Sequence, residues 1–340
     1  MGRVASLDTG RVAAVLAVLT LHARLFRTDE LHGWQRVGEV LADHAARFAV
    51  PFFFFVSGYL LGRGTRRGPA FPRAMASFQR VVLLYLVWSV LFLAIEPPER
   101  AAHDLLAGEP SRPVLAWPPL AELGQKLLNG ARIQLWFLPA LGTALLIAGA
   151  LDRTRPAAGL AVAAILYAAG LAGGAYGRLT GFELGPLSRN GPFFATLFVV
   201  LGFRSGKADE RPRPGPAVLL FAAGAALQAL EAWFLHDRYG AEWIDPAADY
   251  FLGTALMGVG AGRIALARPD LGAGTVWPRL GALTLGVYLV HLDVQQYWLT
   301  PVLVPRGLAG QFALVLLGYV ISVALTWLIA RTRVGRRLVT

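Results

Sequence analysis

Residues 7–26 read LDTGRVAAVLAVLTLHARLF, in which Arg11 and His22 bracket ten residues that are apolar apart from Thr20. On an α-helix eleven residues advance about 16 Å, so the two polar groups sit about half a bilayer apart along one spanning segment. Ionisable side chains held at membrane depth are costly, which makes each a functional-site candidate. The plainer reading is that Arg11 snorkels to the inner interface and His22 marks the outer end of the helix. A signal-peptide core is excluded because no small-residue cleavage site follows in HARLF and apolar runs recur to the end of the chain. The stretch reads as a first membrane helix.

Composition agrees with that class. The 340 residues are 56% apolar and 16% charged, with a mean hydropathy of +0.52, which no ordinary soluble domain shows. Zero cysteines exclude disulfides, a thiol nucleophile and cysteine metal sites. The pI near 10.6 does not indicate nucleic acid, because the arginines are scattered between apolar runs without a nucleic-acid-binding motif.

Apolar windows place ten candidate spans at 11–27, 46–62, 80–96, 135–151, 157–176, 191–203, 216–235, 250–267, 282–301 and 308–330. The sixth, PFFATLFVVLGF, is short enough to be re-entrant. Ten spans predict an all-α, polytopic membrane bundle forming one domain over residues 1–340, with both termini on one side. Charge identifies the side as the cytosol. Of the 32 basic residues, 19 fall on the inner segments, among them Arg63, Arg66, Arg67, Arg73 and Arg80, against 12 on the outer ones, with Arg11 inside the first helix. This is the positive-inside bias.

The longest outer segment, from about Pro97 to Ile133, is Pro-rich and acidic, and reads equally as a lid or as a solvated connector. Trp34, Trp117, Trp136, Trp233, Trp243 and Trp298 lie on or near the outer face. Indole prefers the headgroup level, so most are interfacial anchors, with one or two available to stack on a sugar ring.

Further motifs follow in chain order. FAVPFFFFVSGYLLGR places Pro51, four phenylalanines and Ser57-Gly58-Tyr59 in the second span, where Pro frees a backbone carbonyl and Ser-Gly permits close helix approach. The inner loop GRGTRRGPAFPRAMASFQR carries five arginines and no acid. Topology alone explains it, and a clamp for a phosphorylated cytosolic ligand is the functional alternative. QLWFLPALGTALL opens the fourth span with Trp136 and Pro139, and LSRNGPFFATLFVVLGF enters the sixth with Arg189 and Asn190. Glu231 sits in apolar company in LQALEAWFLHD, where a carboxylate must be paired, protonated or working. LGVYLVHLDVQQYW adds Tyr288, His291 and Asp293.

LDTGRVAAVLAVLTLHA, PFFFFVSGYLL, QLWFLPAL, SRNGPFF leading to LFVVLGF, and GVYLVH occur in the order and spacing of the membrane acyltransferase 3 family, which the whole chain resembles. The resemblance implies an integral-membrane enzyme moving acetyl or another acyl group, usually from coenzyme A, onto sugars of surface glycans, peptidoglycan or secondary metabolites. The family's paired Arg and His fall on Arg11 and His22, and its Tyr-Leu-x-His position on His291. The chain departs from the family's Arg-x-x-Arg pair and following Pro, having Ser77 with Arg80, and Leu84. Its length suits a stand-alone version without an appended hydrolase-like domain. A bacterial inner-membrane location follows from the family and from an Ala-, Gly- and Arg-rich composition.

Transfer of an acyl group to a hydroxyl needs a base for the acceptor proton, and imidazole is matched to that task near neutral pH. His22 takes that role, directly or as a transient acyl carrier. Arg11 joins it as second catalytic candidate, lining the donor channel or holding the pantetheine. Arg63, Arg66, Arg67 and Arg80 are candidates for the phosphates of acetyl-CoA or another acyl-CoA. Trp136, Arg189, Asn190, Glu231, Tyr288 and His291 are candidates for the glycan, glycolipid or glycosylated-metabolite acceptor, with Glu231 expected to pair with Arg11 or Arg189. No metal is expected, membrane lipids surround the chain, and monomer and homodimer stay open. The rival is a proton-coupled transporter or flippase of a glycolipid or small metabolite, which would use buried Arg, His and Glu as a relay; no strong inverted repeat and only one plausibly broken span argue against it. A purely structural scaffold ranks third.

Overall fold

The computed structural model describes residues 4–26, 33–94, 131–242, 244, 249–303 and 307–340, and among these the chain is helix and turn with no strand. The segment expected to act as lid or connector lies outside the described residues up to position 130, as do Trp117 and Trp243.

The principal helices are α1 (Ala5–Ala23), α2 (Trp34–Ala46), α3 (Ala49–Gly64), α4 (Ala70–Ala94), α5 (Phe137–Ala150), α6 (Pro156–Ala172), α7 (Pro192–Ala208), α8 (Pro214–Tyr239), α9 (Leu252–Ala267), α10 (Thr284–Asp293), α11 (Gly307–Ala330) and a short α12 (Arg333–Val339). Pro156, Pro192 and Pro214 each open a helix, where the missing amide proton would have no intrahelical partner anyway. Pro51 behaves the same way. It lies in the first turn of α3, just past the break at Arg47 and Phe48, and not in a helix interior. Five stretches are long and apolar enough to cross a membrane: Trp34–Arg67, Ala70–Ala94, Ile133–Arg153, Pro214–Tyr239 and Gly307–Ala330; Pro156–Ala172 and Leu252–Ala267 are shorter apolar helices. The sixth expected span is one continuous helix, α7, of 17 residues. Leu219, Leu230 and Trp233 on α8, and Leu316, Val320 and Leu328 on α11, face outward, an arrangement suited to lipid.

At the centre α3 crosses α7 backbone to backbone. Gly58 and Gly62 of α3 meet the carbonyls of Val199 and Phe203, while Gly202 and Gly206 of α7 meet those of Phe55 and Tyr59; a Cβ on any of the four would lie 2.0–2.1 Å from a carbonyl oxygen. Two Gly-x-x-x-Gly faces thus interlock, the packing that membrane helices use in place of a hydrophobic driving force. Around this crossing Phe54 stacks on Phe137 at 4.6 Å and Phe194 on Tyr250 at 4.2 Å.

Helix α10 continues from Asp293 into a π-helical turn at Val294–Leu299, a local widening often found at functional sites. Helix α12 folds back under the bundle. The Thr332 hydroxyl accepts from the Gly335 amide at 2.9 Å to cap it, the Trp88 indole donates to the Leu338 carbonyl at 3.1 Å, and Val339 is fully buried.

Candidate functional site

Two cavities approach each other from opposite ends of the bundle, and Tyr288 of α10 lines both. The first, about 430 Å³, carries Arg11, Arg73 and Arg80 at its polar end and Phe53, Leu60, Leu138 and Leu141 along its walls. A side pocket of about 260 Å³ shares Arg11, Leu60, Gly64 and Arg73 with it and adds Asp8, Arg63 and Arg67. Five guanidinium groups therefore surround one mouth. Arg11 is held at 2.9 Å by Asp8, one turn back on α1, and Arg80 donates to the Thr340 carbonyl beyond α12. Arg63 lies over the Tyr59 ring at 5.7 Å. Arg66 points away from this mouth and pairs with Asp209 at 3.3 Å. Ser77 and Leu84, the two departures noted on α4, both line the first cavity.

The second cavity, about 530 Å³, holds His22. Its walls are dense in charge: Arg24, Glu39, Asp43, Arg47, Arg189, Glu242 and Asp249, with Gln134 and Trp136. Six of these charges are paired, Arg47 to Asp43 at 2.6 Å, Arg189 to Asp249 at 2.9 Å and Arg24 to Glu39 at 3.6 Å. Arg189 also lies 4.9 Å from the Trp136 ring centre and donates from Nε to Asn190 Oδ1 at 3.3 Å. Asn190 thus steadies Arg189 and does not line the cavity itself. Trp136 packs against Phe194 at 6.1 Å. Nearby, Arg132 and Gln134 both reach Asp293 at 3.1 Å.

Tyr288, His291 and His22 form a run of touching rings, with centroids 5.8 Å apart between Tyr288 and His291 and 5.3 Å between His291 and His22. Tyr288 lines both cavities, and its ring lies 5.1 Å from that of Phe137, which lines the first. Arg11 and His22 line different cavities, kept apart by the rise of α1.

A family described as an acyltransferase domain matches residues 4–331. The chain belongs to the acyltransferase 3 family. In this family member Arg11 lines the first cavity and His22 the second, and no cluster of three or more His, Cys, Asp or Glu able to hold a metal is found among the described residues. The chain is also similar to a serine/alanine racemase of Enterococcus gallinarum, 26% identical over 308 residues that make up 84% of this chain and 40% of that protein. An amino-acid racemase of Enterococcus faecalis is 27% identical over 222 residues, 61% of this chain and 29% of that protein. The chain therefore spans less than half the length of these two relatives. No solved structure matches.

Glu231 differs from its expected role. Its carboxylate accepts from the Leu252 and Gly253 amides at 3.0 and 2.8 Å and from the Tyr176 hydroxyl, so it caps the start of α9 and pairs with neither Arg11 nor Arg189. A carboxylate is favoured at a helix N-terminus, where amide protons lack partners. Glu39, Asp43 and Arg47, absent from the sequence-based site, carried a signal: spaced by four along α2 and its C-cap, they share one face. In the sequence Arg73 reads only as one of the inner basic residues. Asp249 and Glu242 carried no signal, lying in an irregular segment brought in by the fold.

Proposed function

We propose that the protein is an acyl-CoA-dependent O-acyltransferase of a bacterial inner membrane, with about ten crossings and both termini cytosolic. The observation that supports this best is the junction of two chemically unlike cavities at Tyr288, beside His22. The arginine-ringed mouth suits a phosphorylated donor, since guanidinium forks match phosphate oxygens. The apolar walls beyond it suit an extended pantetheine arm. The second cavity, lined with paired carboxylates and guanidinium groups, suits a polyhydroxylated acceptor such as a glycan, glycolipid or glycosylated metabolite.

In this reading the thioester passes Tyr288 and meets the acceptor hydroxyl at His22. The hydroxyl oxygen bonds to the acyl carbon as His22 takes its proton. The carbon–sulfur bond then breaks and the departing thiolate recovers a proton from His22, which leaves the ester and free coenzyme A. Such base assistance is worth about 10²–10⁴ in rate.

The test compares acetyl-CoA binding and transfer by the detergent-purified protein with those of His22→Ala and Arg11→Ala. Binding that survives His22→Ala while turnover disappears supports the reading. No binding of any acyl-CoA by the wild type would favour a transporter, for which the same two cavities would serve as alternating vestibules and His22 as a proton relay.

A further inference from the structure

His291 is completely buried, and its Nδ1 lies 2.6 Å from the Tyr288 carbonyl oxygen on its own helix. A carbonyl oxygen only accepts, so Nδ1 must carry the proton, and in the neutral ring Nε2 is then a bare acceptor. That Nε2 is buried without a hydrogen-bond partner among the described residues. An orphaned acceptor in such a place is costly, and a functional role is one reason for keeping it. The His22 ring lies beside that of His291, at 5.3 Å between centroids and tilted by 45°. Two imidazoles joined nitrogen to nitrogen have about this separation, because each nitrogen lies about 1.2 Å from its ring centre and the bond itself spans about 2.9 Å. The bond requires a nitrogen of the His22 ring turned towards this Nε2.

The backbone holds the two rings in register. Gln295, one turn beyond His291 and also fully buried, donates from its amide to the Leu19 carbonyl at 3.1 Å. Leu19 is one turn before His22. The two contacts together tie α1 to α10 and to its π-helical continuation.

We propose that His291 is a positioning residue that acts through His22 and does not itself bind acceptor. Its Nε2 accepts a proton from one nitrogen of His22, which fixes the tautomer of that ring and leaves the other nitrogen bare towards the second cavity. The Tyr288 carbonyl performs the same service for His291, so that a backbone oxygen sets the tautomers of both rings in turn. The outer nitrogen of a neutral His22 is then always the base, and the positive charge it gains with the acceptor proton is shared along the pair. This inference rests on His22 being the base of the acyl transfer.

The test uses His291→Asn, His291→Gln and His291→Ala in the full-length protein. Asn keeps a donor for the Tyr288 carbonyl but has no acceptor at the place of Nε2, whereas the Gln carbonyl reaches that place. The expected result is a loss of about 100-fold or more in kcat for Asn and Ala, with the KM for acetyl-CoA unchanged and Gln rescuing most of the rate. The second arm is nitrogen-15 NMR of histidine-labelled protein, which resolves tautomers among only six histidines. It should show His291 protonated at Nδ1 and a single tautomer of His22 that becomes mixed in the Asn variant and single again in the Gln variant. Wild-type kcat in His291→Asn, or a His22 tautomer indifferent to residue 291, would overturn the proposal. A wild type that transfers no acyl group would overturn the acyltransferase reading instead, and the NMR arm would still decide whether the two rings are joined.

Discussion

Replacing Gly58 by Ala tests whether the bundle is built around the α3–α7 crossing. The new Cβ would lie 2.1 Å from the Val199 carbonyl oxygen and 2.8 and 2.9 Å from the Val199 carbonyl carbon and Cα. All three are backbone atoms, so no side chain can rotate away. Restoring an ordinary contact of about 3.3 Å means parting the helices by about 1 Å along several turns, which loosens the interlocked glycines at Gly62, Gly202 and Gly206 as well. Overpacking of this kind costs about 1–3 kcal/mol, and a backbone clash belongs at the top of that range. The control is Gly215→Ala in the first turn of α8, where a Cβ meets nothing within 4 Å and where Ala is the better helix former. Thermal unfolding in detergent should show Gly58→Ala several degrees below wild type and Gly215→Ala at or above it. Transfer activity should fall with Gly58→Ala too, because α3 carries Phe53, Ser57 and Leu60 of the first cavity and α7 carries Phe194 of the second. A Gly58→Ala protein as stable as wild type would refute the close crossing.

Glu231→Ala should lower stability by about 1–2 kcal/mol through loss of the cap on α9, with transfer per folded molecule unchanged; a selective loss of acceptor binding would return Glu231 to the site. Arg73→Ala and Arg80→Ala should each raise the KM for acetyl-CoA about tenfold, as expected for losing a charge-assisted hydrogen bond. The same variants should handle an acyl-pantetheine donor without phosphates as the wild type does, and an equal penalty on both donors would remove the phosphate assignment. Asp249→Asn, which releases Arg189 from its 2.9 Å pair, should raise the KM for the acceptor and leave that for the donor alone. The reverse pattern in steady-state kinetics would assign the second cavity to the donor.

Much of this protein was legible in one dimension because the relevant physics is local. Apolar runs such as 308–330 and helix-opening prolines report directly on solvent and on backbone geometry, and α11 and α6 to α8 form where those signals lie. Arg11 and His22 stood out because a charged or imidazole side chain within an apolar run is costly wherever its neighbours are. Their separation by about half a bilayer was also implicit, since the helical rise alone keeps them apart. Glu231 stood out for the same reason, yet its role depended on the amides of Leu252 and Gly253, which only the antiparallel packing of α8 against α9 brings within reach.

What the tertiary structure alone decided concerns contacts between distant segments. Tyr288 is the meeting point of two cavities, His291 touches His22 across 269 positions of chain, and Arg73 joins Arg11 at one mouth. Composition and periodicity describe what each helix buries, but they contain no term for which faces meet. In a membrane that choice is made by shape, as where the glycines of α3 admit the backbone of α7. Helix identity was therefore determined by residues acting singly or within a turn, and the site by the fit between helices.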